Sequence, residues 1–328
     1  MTVRSPDSVT PKSQAAKPHD YPNALYKQLA VFRPSPGLQR TNGLLSTTPV
    51  DLRRLGRAIQ DDPDLAAETV RLCNSSLFRL PRPVSSLEQA VVATDAEIVR
   101  ILLLTCWLTK RSGSEVSTRE NQLFWSHSLL AAQISSRISE WTGLVQPERA
   151  FLAGLLHDIG DLPYLTLFSS GGTERHLDVL EDLGESIETQ RRRSQTDHCE
   201  LGGRLSTMLG LPLSLAEVVS KHHQPNTILP GFPLLSIVAA AEAISQARRP
   251  CARQEFPTEA LGTFIKDSLE KWLPGLNPSA SHRLIGVLES DLLANGRHFA
   301  PLAGDVWSDS LPGTAARSQA EKSSSAGG

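Results

Sequence analysis

The sequence predicts an all-α fold, on three observations. Apolar residues recur at helical spacing through most of the chain, residues of the helix-capping type stand at the heads of these stripes, and no segment sustains the alternation of a strand bounded by hairpin turns. With 328 residues, 40% hydrophobic and 21% charged, the chain suits one large domain or two packed subdomains around a substantial core.

Taken in order, residues 1–20 hold Pro, Ser, Thr and Lys with almost no large apolar side chain, and residues 309–328 have the same character. Both segments are expected to lack fixed structure, since they bury too little to offset ordering entropy. Leu52, Leu55 and Ile59 form the first stripe, with Arg53, Arg54 and Arg57 facing solvent. Asp62-Pro63 reads as an N-cap followed by proline at the first helical position. The helix it opens carries Leu65, Val70, Leu72 and Cys73 and stops at Asn74-Ser75-Ser76. Two capping boxes follow, Ser85 with Glu88 and Thr94 with Glu97. The second opens AEIVRILLLTCWLTK, apolar on nearly all sides and so a central buried helix. Gly113 and Ser114 mark a loop, and a long helix from about Asn121 to Trp141 places Trp125 and Trp141 in the core. Pro147 starts a helix ending at Gly160, and a weaker helical stretch covers 174–193. Asp197 with Glu200 and Ser214 with Glu217 open two short helices, separated by a stop at Gly210. A helix follows Pro233, and two more, at 258–272 and 279–294, complete the globular part. The expected core is Leu65, Leu72, Leu102, Leu103, Leu130, Ile134, Leu155, Leu156, Leu205 and Val238.

Composition narrows the class of function. Thirty-three basic residues against 35 acidic ones leave a net charge of -2, which gives no electrostatic case for nucleic acid or an anionic membrane as obligate partner. The longest apolar stretch, Ile98 to Leu108, is interrupted by Arg100 and falls short of the ~20 residues of a membrane span. The N-terminus has no apolar signal core. The four cysteines, Cys73, Cys106, Cys199 and Cys251, form no C-x-x-C pair and are expected as buried thiols in a reducing, cytoplasmic setting.

Five histidines and two carboxylates could do chemistry. His127 shares a helical face with Leu130, Ala131, Ile134 and Ile138, and burying a titratable ring there without a partner is costly. His157-Asp158 is a doublet at the C-terminal end of a very apolar helix. His198 follows the cap residue Asp197, while His222 and His223 end another helix. Glu242 follows Leu235, Val238 and Ala239 on one face of an otherwise apolar helix. Imidazoles and carboxylates converging from separate helices are the ligand set of a divalent ion such as Mn, Fe, Ni or Zn, which can activate water for attack on a phosphate ester. Read singly, each has an ordinary explanation: a hydrogen-bonded core histidine, or a histidine favoured by a helix C-terminus.

Seven ordered segments carry a resemblance. They are DPDLAAETVRLCNSS (62–76), VSSLEQAV (84–91), FWSHSLLAA (124–132), FLAGLLHDIGDLP (151–163), DHCELGGRL (197–205), LGLPLSLAEVVSKHH (209–223) and LLSIVAAAEAIS (234–245). Over residues 21–250 the chain resembles the HDOD family, the HD-related output domains of bacterial signalling proteins. That family lies within the HD superfamily of metal-dependent phosphohydrolases, which includes the HD-GYP phosphodiesterases. The resemblance implies an HDOD-like arrangement: an N-terminal helical half (21–112) packed on an HD-like half (119–250), with C-terminal helices (256–296) packing back on them. It also implies a signalling role, usually without demonstrated catalysis. Carried over by motif, the metal ligands of catalytic HD proteins fall on His127, His157, Asp158 and Glu242, the last with Glu in place of Asp. His198, His222 and His223 fall where two-metal relatives place further ligands, and they are expected on the rim of the pocket. Asp158 is the catalytic group if the protein is active, and at most one tightly held ion is expected. Phosphodiesterases of the superfamily commonly follow the doublet with Ile-Gly-Lys, whereas Asp161 here puts a negative charge where a phosphoryl group would bind. No GYP motif is present, and Gly231-Phe232-Pro233 is a coincidence of position.

Two functions stay open on this reading. One is a cytoplasmic regulatory module that acts on other signalling proteins through protein–protein interaction, with a retained metal site. The other is a metal-dependent phosphohydrolase acting on a nucleotide or cyclic dinucleotide. Arg191-Arg192-Arg193 and Arg248-Arg249 are candidates for contacting a nucleotide phosphate, against the commoner reading of a solvated helix face. His176 has no matching motif, and Cys199 reads as a packed thiol.

Overall fold

Helices supply all the regular structure of the described residues, which are 21–75, 77–78, 80–116, 118–169, 187–224, 231–247 and 258–295 of a computed structural model. The two terminal tails, His176, Arg248-Arg249 and Cys251 lie outside them. In chain order the helices are α1 (Tyr21–Leu29), α2 (Pro36–Leu45), α3 (Leu52–Ala58), α4 (Pro63–Cys73), α5 (Leu87–Ala93), α6 (Ala96–Glu115), α7 (Thr118–Thr142) and α8 (Pro147–Leu156). There follow α9 (Leu162–Ser169), α10 (Ile187–Ser194), α11 (His198–Leu209), α12 (Leu213–Lys221), α13 (Pro233–Ser245), α14 (Thr258–Trp272) and α15 (Pro278–Asn295). A 3-10 turn, Ile159–Asp161, joins α8 to α9. None of the described helices is long and apolar enough to cross a membrane.

The core follows the apolar stripes. One cluster links α2 to α6 with α8, α11, α12 and part of α13, and all ten expected core residues are buried. A second is built on the Leu130, Ile134 and Ile138 face of α7, against Ile237 and Ile244 of α13 and the inner faces of α14 and α15. Helix α1 packs on α9 and α11, where Leu25, Tyr164 and Leu201 form a small third cluster. Cys73, Cys106 and Cys199 are buried free thiols.

The caps show why these helices begin and end where they do. Asp62 accepts from the Leu65 amide and Asp197 from that of Glu200, while Gly210 stops α11 in the left-handed region at φ 65°. Elsewhere the structure corrects the sequence reading. Ser86, not Ser85, caps α5 through the Gln89 amide, and the Gln89 side chain returns to the Ser85 amide. Asp95, not Thr94, caps α6, because the Thr94 hydroxyl donates back to the Ala90 carbonyl of the preceding helix. Ser214 caps nothing: Pro212, with φ −53°, starts α12, and its carbonyl accepts from the Leu215 and Ala216 amides. Gly113 and Ser114 lie inside α6, where the Arg111–Glu115 ion pair spans the last turn and Ser112 accepts from the Trp125 indole. Trp125 is buried, but Trp141 is 36% exposed, its ring beneath the Arg283 guanidinium.

Candidate metal centre

Five chain segments deliver the chemical groups. His127 projects from the middle of α7 and Glu242 from the last turn of α13. Helix α8 ends at Leu156, so His157 and Asp158 sit where the chain leaves it for the 3-10 turn. That turn lies directly on the start of α11. A Cβ on Gly160 would come within 1.8 Å of the His198 carbonyl oxygen and 2.6 Å of the Gly202 nitrogen, so only glycine allows the approach. The contact brings His198 beside the doublet, and the end of α12 adds His222 and His223.

Two ligand groups result, and they share Asp158. In the first, Nε2 of His127 lies 3.1 Å from Asp158 Oδ2 and 3.0 Å from Glu242 Oε2. His157 Nε2 is 3.1 Å from each of the same two oxygens. In the second, Asp158 Oδ1 faces Nε2 of His222 at 3.1 Å and of His198 at 3.7 Å, with the His223 ring 4.3 Å from that of His222. Within each group one potential ligand atom per residue lies within 4.8 Å of all the others. Sequence reasoning therefore named all seven residues that the fold brings together. It expected His198 and His222 on the rim, yet they are only 4% and 1% exposed. They are the buried side of the centre, because α11 is drawn in against Gly160.

The electrostatics fit a cation. His157 Nδ1 donates to the Gly154 carbonyl at 2.7 Å, and His222 Nδ1 to that of Val218 at 3.0 Å. A neutral ring so committed turns the lone pair of Nε2 toward the carboxylates, an arrangement that repels unless a proton or a metal ion lies between. Asp158 Oδ1 is buried without a hydrogen-bond donor. Hence the donor set and its orphaned oxygen suit a divalent ion of the N- and O-preferring kind. Burial opposes charge on His127, but the Glu242 charge and hydrogen bonds to both carboxylates outweigh it and hold the ring at about 9. His157 is raised in the same way, by Asp158 first. Burial likewise opposes ionisation of Asp158 and Glu242, yet His157 and His127 respectively hold them well below the usual carboxylate range. Away from Glu242 burial prevails: it pushes His198 down to about 4 and His223 to about 3, with neighbouring rings adding to the effect.

Asp161 behaves differently from the sequence expectation. It is buried, accepts from the Gln190 amide at 3.3 Å, and is pushed well above the usual range by burial and by the Asp158 charge, which favours its neutral form. It is a scaffold group beside His198, with no anionic face toward a ligand. Sequence reasoning also missed Gln190, whose Oε1 accepts from His198, and Ser245 and Gln246, which both donate to Glu242. No motif marks these residues; only the folded contact does. Of the other candidates, Arg191 is engaged with Asp197, which caps α11, and burial pushes the Cys199 thiol up and out of reach of ionisation.

The HDOD domain pattern matches residues 34–225. The chain belongs to the HDOD family. A solved HDOD domain protein of unknown function from Geobacter sulfurreducens shares 22% identity and a TM-score of 0.56 over 85% of this chain and 100% of that one. A candidate phosphohydrolase from Shewanella amazonensis SB2B gives 17% identity and a TM-score of 0.57 over 84% and 98%. At these identities the likeness establishes the HDOD fold alone. Ribonuclease Y of Thermus thermophilus is 34% identical over 87 residues, which are 26% of this HDOD chain and 14% of the ribonuclease.

Proposed function

We propose that this HDOD protein is a regulatory module that holds a divalent metal ion and acts on other signalling proteins through protein–protein interaction. The observation that carries the reading is a complete ligand set that is nearly sealed. The side chains of His127, Asp158, Glu242 and His157 are 15%, 9%, 4% and 0% exposed. Such a centre has room to bind an ion and brace α7, α8 and α13 against one another, and it offers little surface to a phosphate ester. Family membership supports the signalling role by analogy of fold.

A specific observation favours a second reading, a phosphohydrolase acting on a nucleotide or cyclic dinucleotide. Asp158 presents one oxygen to each ligand group, and Asp161 carries no anionic barrier to a phosphoryl group. When bound, an ion at such a site supplies a Lewis acid that activates water. This chain's part would be to hold it through His127, His157, Asp158 and Glu242.

Full-length protein loaded with Mn or Fe and incubated with bis(p-nitrophenyl) phosphate and cyclic dinucleotides separates the two. Retained metal with no turnover is expected. Metal-dependent turnover that vanishes in Asp158→Ala would replace the first reading with the second.

A further inference from the structure

The Gln190 amide holds His198 twice and Asp161 once. Its Oε1 accepts from the backbone N–H of His198 and from ring Nδ1, each at 2.8 Å, and its Nε2 donates to Asp161 Oδ1 at 3.3 Å. Gln190 and Asp161 are both buried, so neither can exchange these partners for bulk water at no cost. An amide can flip, presenting either its oxygen or its NH2 group. The backbone N–H of His198 can only donate, so it fixes the orientation in which the amide oxygen faces His198, and Asp161 accepts from the nitrogen end. That oxygen in turn fixes the proton on Nδ1 and leaves the lone pair of a neutral ring on Nε2. Nε2 then points at Asp158 Oδ1 and stands 3.4 Å from the His222 Nε2 atom, whose own ring is set by the Val218 carbonyl.

We propose that Gln190 and Asp161 are the positioning pair of the second ligand group: Asp161 anchors the nitrogen end of the Gln190 amide, and Gln190 sets the tautomer and rotation of His198 for metal ligation. The inference rests on the metal-binding reading given above. It gives the aspartate after the His157-Asp158-Ile159-Gly160 run a definite task, and it links α10, which carries no ligand, to the centre.

Neither residue touches the ion, so the test is uptake and ring chemistry. Mn2+ binding to the full chain is counted by electron paramagnetic resonance and calorimetry for wild type, Gln190→Leu and Gln190→Glu. Wild type is expected to take up one ion tightly, in the first ligand group, and a second more weakly, in the group that contains His198. Gln190→Leu should keep the first with unchanged affinity and weaken the second by about 10–100-fold, the usual effect of losing an outer hydrogen bond to a ligand. Gln190→Glu, which retains the acceptor, should keep both. Equal second-ion affinity in wild type and Gln190→Leu, or equal loss in both variants, overturns the pairing. The 15N spectrum of histidine-labelled, metal-free wild type needs no variant to fold. A proton on His198 Nδ1 supports the pairing, and one on Nε2 overturns it. Wild type that binds no Mn2+ refutes the metal-binding reading, and the tautomer then still decides whether Gln190 sets the ring.

Discussion

Nε2 of His157 and Oε2 of Glu242 stand 3.1 Å apart, although 85 positions separate them in the chain. Because Nδ1 of His157 is committed to the Gly154 carbonyl, the neutral ring meets the carboxylate lone pair to lone pair. Such a contact persists only if a positive charge lies in it, either a proton on the ring or a metal ion. The metal-free and loaded forms should therefore respond in opposite ways to changes that touch this charge.

Removing the Glu242 charge separates the two forms. Glu242→Gln keeps the side-chain length and loses the anion that most strongly raises His127. In metal-free protein the His127 ring, held at about 9, should fall, since Asp158 alone is left to oppose burial. Metal affinity should drop at least about tenfold, since a carboxylate ligand becomes an amide. Histidine NMR titration and calorimetry read these effects. An unchanged His127 titration would show that Glu242 does not govern the site.

Stability should depend on pH with opposite slopes in the two forms. The His127 value of about 9 in the metal-free fold lies above the ordinary 6.5. Its stabilisation is thus complete below pH 6.5 and lost as pH rises through about 9. Asp158 and Glu242 are depressed, so their contribution is present above the ordinary carboxylate range near about 4 and lost in more acid solution. His198 and His223, depressed to about 4 and about 3, contribute stability that is present above the ordinary 6.5 and lost as pH falls. Metal-free protein should therefore be most stable between about 6.5 and 9. Loaded protein needs neutral imidazoles and should gain stability above about pH 6–6.5. Urea midpoints at mildly acid, neutral and mildly alkaline pH, with and without chelator, measure both slopes. Parallel slopes between neutral and mildly alkaline pH would contradict a site exchanging protons for metal.

Gly160→Ala tests how the two halves of the centre are joined. Its Cβ would meet the His198 backbone, and backbone does not yield as a flexible side chain does. The cost should be at least the 1–3 kcal/mol or so typical of overpacking, with loss of metal bound through His198. Chemical denaturation and metal counting check both, and a stable variant with full metal content would show that the turn can move aside.

How much of this was legible in the sequence depended on range. Most helices announced themselves by local spacing, though α1, α2 and α9 did not. Caps were misread where two capping residues are neighbours, as with Ser85 and Ser86 or Thr94 and Asp95, and at Ser214, where Pro212 already starts the helix. The seven ligand candidates were legible because ionisable residues stood on apolar stripes in a family-like order. Gln190 and Asp161 were not, because a glutamine in a polar helix and an aspartate in a turn acquire meaning only when Gly160 lets α11 close on the doublet. Trp141 was misplaced for a similar reason: its exposure is set by where α15 lies, not by the pattern of α7.

The most direct test is the metal content of full-length protein purified without chelator, measured by elemental analysis beside an Asp158→Ala variant. Asp158 belongs to both ligand groups, so wild type should carry at least one Mn, Fe, Ni or Zn ion per chain and the variant should carry none. Equal metal in the two proteins, or none in either, would contradict a working metal centre.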